Sequence, residues 1–231
     1  MQQYFINEKL NINSSIQLEQ DILHHIKNVL RKHNGYQFRL IDQLGRCFIG
    51  ELKDNTAIIR SEIESNNELP INVTVIMSLI KNEKFDLTLQ KLTELGVKRI
   101  VPFSALRSVI KIKDEQKKLE RYRKIVQEAS EQCHRTCVPE IPEIVDLKSL
   151  IKYKSVFNYV AYEKETSNPM PFKMIDDDVT IVIGPEGGFD ISEIEFLEKN
   201  GFQCKTLGKR ILRAETAAMF VMSNFVGVNE L

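Results

Sequence analysis

The sequence predicts an α/β protein in two parts, a small β-rich module over residues 1–69 and a larger parallel α/β domain over residues 70–231. Three observations predict it. Before residue 70 the apolar residues come in short, frequently punctuated runs; beyond it, uniformly apolar runs alternate with helical patterns. Between the two, "SNNELP" (Ser65–Pro70) is polar, ends in proline and reads as a linker. The length of 231 residues suffices for a small and a medium domain, and 42% hydrophobic with 28% charged residues leaves a real core. Basic and acidic residues balance at 32 each, which excludes a global field toward a polyanion but not a local patch.

The first module opens with few regular signals and then a short helix near "DILHHIKNVL". "YQFRLID" alternates and "RCFIGEL" follows it across Gln43-Leu44-Gly45, which predicts a hairpin. "NTAIIRSEI" adds a further strand, and the whole predicts a barrel or sandwich. After the linker, "INVTVIMSLI" is rich in β-branched residues without polar alternation, as a strand buried on both faces requires. "KFDLTLQKLTELG" puts Phe85, Leu89, Leu92 and Leu95 on one helical face and closes on Gly96, a natural residue just past a helix end. "VKRIVPF" returns as a strand, and Asp114–Gln132 predicts a charged amphipathic helix. "SVFNYVAY" and "DVTIVIG" predict buried strands, and "ISEIEFLEKNG" a helix capped by Asp190 with Glu193 or by Ser192 with Glu195. "FQCKTLG" predicts a last short strand, and "AETAAMFVMSNFV" a last apolar helix.

Two loops interrupt this alternation in the same way. "IGPEGGF" (Ile183–Phe189) and "LGKRILRAETA" (Leu207–Ala217) each follow a strand and lead into a helix. Ligands of open parallel sheets bind beyond the carboxyl ends of the strands, where glycines let the backbone come close. A single such cluster reads as a tight turn; two at matched strand ends predict a pocket of backbone groups suited to an adenine edge and a ribose. Neither stretch has the spacing of a triphosphate or dinucleotide loop.

Together these two stretches resemble the signature of the SPOUT methyltransferases, and within them the family that methylates N3 of a uridine in 16S ribosomal RNA. "HHIKNVLR", "KLTELGVKRIVPF" and "EQCHR" resemble further segments of that family in the same order, so the resemblance spans nearly the whole chain. Ala214 departs from it, threonine being the expected residue there. The resemblance implies a PUA-like β-barrel for RNA recognition at residues 1–69. It also implies a SPOUT α/β domain with a parallel sheet and a deep trefoil knot at residues 70–231. It further implies a homodimer and bound S-adenosylmethionine. Composition and periodicity show no knot, since true knots are very rare. Carried over residue by residue, Gly184, Pro185, Glu186, Gly187 and Gly188 form one cofactor loop, and Leu207, Gly208, Ile211 and Leu212 the other. Glu163, after the strand ending at Tyr162, belongs to a third. A side chain at Gly187 is expected to fill the ligand's space.

Methyl transfer to uridine N3 requires removal of its proton, for which a positioned base gives about 10²–10⁴-fold. Glu215 and Glu186 are the carboxylates nearest the expected pocket, and Arg213 can stabilise charge on the uracil oxygens; Arg213 and Glu215 are the catalytic candidates. Glu215 also suits the first turn of a helix on electrostatic grounds alone. The first 70 residues carry 8 basic and 9 acidic side chains, yet "HHIKNVLRKHNGYQFR" has no acid, and Lys98–Lys124 holds 10 basic against 3 acidic. His25, Lys27 and Arg31 are the expected RNA contacts. Two rivals stand beside the uridine-N3 reading: ribose 2′-O methylation on the same scaffold, and a non-catalytic RNA-binding factor in ribosome assembly. The expected partner is 16S ribosomal RNA or the small ribosomal subunit. Cys133, His134 and Cys137 lack the fourth ligand a zinc site needs, so no metal is expected. No run reaches the ~18 apolar residues of a membrane span, and the N-terminus lacks the layout of a signal peptide. Four scattered cysteines are too few for a disulfide framework, which predicts a cytoplasmic protein.

Overall fold

The structure is a computed structural model that describes residues 1–108 and 114–230. The chain divides into two units, Met1–Glu68 together with Ser130–Cys137, and Leu69–Ala129 together with the residues from Val138 onward. Ser130–Cys137 thus groups with the N-terminal unit although it lies far along the chain from the 69/70 boundary read from sequence.

The first unit is a mixed sheet. Its strands are β1 (Gln3–Phe5), β2 (Ser15–Gln17), β3 (Gln37–Ile41), β4 (Cys47–Lys53) and β5 (Thr56–Ile63), in the order β1-β3-β4-β5-β2. β1 lies parallel to β3; the other pairs are antiparallel. The expected hairpin is β3–β4, and its turn has a specific cause. The Asp42 carboxylate accepts from the Leu44 and Arg46 amides at 2.9 and 3.0 Å and from Arg46 Nε at 3.0 Å. Burial alone would raise the Asp42 carboxyl; these hydrogen bonds outweigh it and hold it below its ordinary value. A bulge at Arg60 of β5, opposite Ile49 and Gly50 of β4, bends the sheet around Leu10, Ile26, Phe38, Leu40 and Phe48, all but sealed from solvent. The helix α1 (Gln20–His24) runs on into a π-helical turn, His25–Val29.

The segment Ser130–Cys137 is tied in by one carboxylate. Glu68 accepts from Arg135 Nε at 3.1 Å, from Arg135 Nη2 at 2.5 Å and from the Thr136 and Cys137 amides at 2.9 and 3.2 Å. Gln3 Nε2 donates to the Arg135 carbonyl at 2.7 Å. Arg135 is buried, so this pair is the kind whose disruption is costly. The stretch "EQCHR" thus closes on a structural arginine.

The second unit is a parallel sheet of β6 (Val73–Ser78), β7 (Arg99–Phe103), β8 (Phe157–Ala161), β9 (Val179–Ile183) and β10 (Gln203–Lys205), in the order β10-β8-β9-β6-β7. Every residue of β6 and β9 is buried, as the absence of polar alternation predicted. Val73, Val75, Met77, Val179, Ile181 and Ile183 share one core with α2 (Asn82–Glu94), α3 (Glu115–Gln132) and α5 (Ala214–Asn229). Ile76, Val160 and Val182 face another, with α4 (Ile191–Lys199). Helices therefore cover both faces. α2 ends at Gly96 as expected, and of the two possible caps for α4 the structure has Asp190 with Glu193. Among the described residues no helix is long and apolar enough to cross a membrane.

Candidate cofactor site

The register of the sheet sets the site. Ala161 of β8 pairs with Ile183 of β9 and with Lys205 of β10, so three neighbouring strands end at one level. The chain leaves all three ends in irregular loops, and these enclose a cavity of about 630 Å³. That lies within the range of small-molecule sites. The loop after β8 is pinned beside β10 by hydrogen bonds from the Tyr162 amide to the Lys205 carbonyl (3.0 Å) and from the Thr206 amide to the Asn168 carbonyl (2.9 Å).

Backbone conformation shows why glycine is needed. Gly188 has φ +69°, and a Cβ there would lie 2.7 Å from Glu163 Oε1. Gly208 has φ +125°, in a turn where its amide donates to Thr206 Oγ1 at 3.2 Å. Both conformations disfavour any side chain. The lower wall is apolar, made by Ile183, Leu207, Leu212 and Ala217, whereas Glu163, Glu165 and Thr206 bring polar groups. Glu165 accepts from the Ser167 amide and hydroxyl at 2.7 and 2.9 Å and from the Asn168 amide at 3.1 Å. These bonds, the Ser167 amide first, hold its carboxyl below the ordinary value. An apolar floor beside bare glycine backbone and a few polar groups suits a purine with a ribose.

Of the residues expected from sequence, Glu163, Gly184, Pro185, Gly188, Leu207, Gly208, Ile211 and Leu212 line the cavity. Glu186, Gly187, Arg213 and Glu215 do not. The Glu186 side chain receives a hydrogen bond from Lys84, and a Cβ on Gly187 would meet Arg107 Cβ at 3.4 Å instead of ligand space. Arg213, exposed, is the N-cap of α5. Glu215 follows in the first turn, with Lys84 Nζ 3.5 Å from its Oε1. Its Oε2 is buried with no hydrogen-bond partner among the described residues. Lys84, Glu165, Thr206, Lys209 and Arg210 are additions. "EKETSNP", a polar run closed by proline shortly after a buried strand, could have signalled the third loop; nothing local marks Lys84.

The RNA candidates lie in the other unit. Tyr4 Oη lies 3.0 Å from His25 Nδ1, and Lys27 Nζ donates to Asn55 Oδ1 at 2.8 Å. Arg31 is exposed, with φ +54° just beyond the π-helical turn. Lys111 and Lys113 of the second basic cluster lie outside the described residues. Among the described residues no group of three or more His, Cys, Asp or Glu side chains is placed to hold a metal ion.

Comparison with known proteins agrees with this geometry. Residues 67–226 match the model of an RNA methyltransferase domain, and residues 18–60 that of an RNA methyltransferase PUA domain. The chain is 35% identical to ribosomal RNA small subunit methyltransferase E of Bacillus subtilis, covering 96% of this chain and 95% of that protein. The chain belongs to the ribosomal RNA small subunit methyltransferase E family. Members of this methyltransferase family share the fold as well as the sequence. The structure of the Neisseria gonorrhoeae enzyme bound to S-adenosyl methionine superposes with a TM-score of 0.91 at 29% identity, over 99% of this chain and 98% of that one. A Legionella pneumophila methyltransferase in complex with the same cofactor gives 0.88 at 28%, over 97% and 96%.

Proposed function

We propose that this protein transfers a methyl group from S-adenosylmethionine to N3 of a uridine in 16S ribosomal RNA, within the small ribosomal subunit or its precursor. The observation that supports the reading best is the cavity at the aligned ends of β8, β9 and β10, in a family with a solved member bound to that cofactor. Gly188 and Gly208 keep the space open, Leu207 and Leu212 pack the purine, and Glu163 is within reach of a ribose hydroxyl. Once bound, the cofactor supplies an electrophilic methyl on a sulfonium, which leaves as a neutral thioether.

The chain's own residues prepare the acceptor. A neutral uracil holds its N3 proton, and Glu215 supplies a carboxylate oxygen with no donor of its own among the described residues. A uracil N3–H satisfies that oxygen and gives up its proton to it as the new N–C bond forms. Arg213, at the same helix start, balances the negative charge that spreads to the uracil oxygens. His25, Lys27 and Arg31 contact the RNA backbone in this reading. If the Tyr4 hydroxyl donates to His25 Nδ1, Nε2–H is left to reach a phosphate. The trefoil knot belongs to the same proposal, as does a cytoplasmic homodimer, for which Ile211, 82% exposed at the cavity mouth, offers an apolar contact.

The test is methylation of small-subunit RNA with isotopically labelled cofactor, followed by digestion to nucleosides. Label in 3-methyluridine supports the proposal. Label in 2′-O-methylated nucleosides transfers the reading to the ribose-methylating alternative. No calorimetric binding of S-adenosylmethionine favours a non-catalytic RNA-binding factor.

A further inference from the structure

Lys84 stands in the first turn of α2, directly after β6. Its ammonium donates to Glu186 and lies 3.5 Å from Glu215 Oε1. These two carboxylates do not line the cavity themselves, but they stand on different elements that wall it. Glu186 sits between Pro185 and Gly188, and Glu215 between Ala214 and Ala217, and each of those four neighbours lines it. One cation therefore joins the loop after β9 to the helix after β10. The three side chains are partly buried, at 30%, 29% and 14% exposed, so water screens the pairs less than it would on an open surface. The hydrogen bond to Glu186 is the leading cause that raises the Lys84 ammonium above its ordinary value.

Glu215 gives the arrangement its meaning. Lys84 engages Oε1, while Oε2 stays buried and unpartnered among the described residues. A buried carboxylate oxygen without a donor is uncommon and calls for a reason. Anchoring one oxygen fixes the orientation of the other, and the anchor is shared with the loop that shapes the cofactor cavity. We propose that Lys84 is a positioning residue for methyl transfer, holding the Glu215 carboxylate in a fixed relation to the cofactor loop through Glu186. It acts through Glu215 and touches neither substrate nor cofactor. The inference rests on the reading of Glu215 as the proton acceptor.

Single-turnover methylation of small-subunit RNA, with S-adenosylmethionine affinity measured by calorimetry, tests it. Lys84→Met should lower the rate about 10- to 100-fold, the range in which misplacing a catalytic group acts, with cofactor affinity changed less than about threefold. Lys84→Arg should restore most of the rate, because a guanidinium can bridge two carboxylates. In a Glu215→Gln background, Lys84→Met should cost little more, since the group it positions is already gone. Glu186→Gln, a near-isosteric change, should give a smaller loss of the same kind and serves if Lys84→Met does not fold. The proposal is overturned by additive losses in the double variant, by loss of cofactor affinity in step with the rate, by failure of arginine to rescue, or by no loss at all. A silent Glu215→Gln would overturn the reading of the base and this inference with it. A damaging Glu215→Gln beside a silent Lys84→Met would overturn this inference alone.

Discussion

The two units use the left-handed backbone region differently. In the α/β unit every described residue with positive φ is a glycine, Gly188 and Gly208 at the cavity among them. In the N-terminal unit Asn13, Arg31, Asp54 and His134 occupy that region with side chains attached. Each such residue carries a strain of about 1–2 kcal/mol. Where a ligand must approach the main chain, a side chain is an obstacle and glycine stands. Where the side chain itself is used, the strain is tolerated. Asp54 accepts from Asn34 Nδ2 at 3.0 Å, and His134 Nε2 lies 2.8 Å from the Met1 carbonyl. Arg31 and Asn13, both exposed, show no such side-chain tie among the described residues.

The largest effect should come from filling the cavity. Gly188→Val combines an unfavourable φ with a collision against Glu163. It should weaken S-adenosylmethionine binding by more than about a hundredfold, ~3 kcal/mol, in calorimetry. Gly187→Val, beside Arg107 and off the cavity, should weaken it far less. Equal losses would mean that the loop responds as a whole and that space at Gly188 is not the cause.

Next comes the tie that holds Ser130–Cys137. Glu68→Ala withdraws the carboxylate from the buried Arg135 and should destabilise the N-terminal unit by about 2–3 kcal/mol. Hydrogen exchange would show it as lost protection in β1 and β3, with cofactor affinity unchanged. A parallel loss of affinity would break the division between the units.

Arg31→Gly separates strain from use. It should lower RNA affinity about tenfold and reduce the salt dependence of binding by about one charge, while the melting temperature stays level or rises. A lower melting temperature with full RNA affinity would make Arg31 structural.

The smallest effect concerns pH. Asp42 has a lowered folded-state value, so its contribution is present above the ordinary 3.8 and is lost as pH falls through that lower value. Asp42→Asn lacks the charge at every pH. The stability gap between the two proteins, about 1 kcal/mol at neutral pH, should shrink as melts are taken below about pH 4 and close once pH is below the lowered folded-state value. A gap that persists there would place the effect in shape, not charge.

Much of this was legible in the sequence because its causes are local. Unbroken β-branched runs mark β6 and β9, Gly96 ends α2, and the spacing of Asp190 and Glu193 makes a cap whatever surrounds it. The loops at 184–188 and 207–212 were visible for the same reason, since glycine restricts what the chain does within a few residues. The parts that stayed hidden depend on distance along the chain. Lys84 and Glu186 are 102 residues apart, and Glu68 and Arg135 are 67 apart. No periodicity or spacing records such pairs; they follow from strand order alone. Glu186 is such a case: its place in the motif is local, whereas its hydrogen-bond partner Lys84 lies on α2.

The central claim is that the three loops at the ends of β8, β9 and β10 cradle one adenosyl group. A crystal structure with S-adenosylhomocysteine at saturating concentration tests it most directly. The account predicts the purine against Leu207 and Leu212, with the main chain of Gly188 and Gly208 in contact with the ligand. Ligand density at any other place, or side chains closing that cavity while the ligand binds elsewhere, would contradict it.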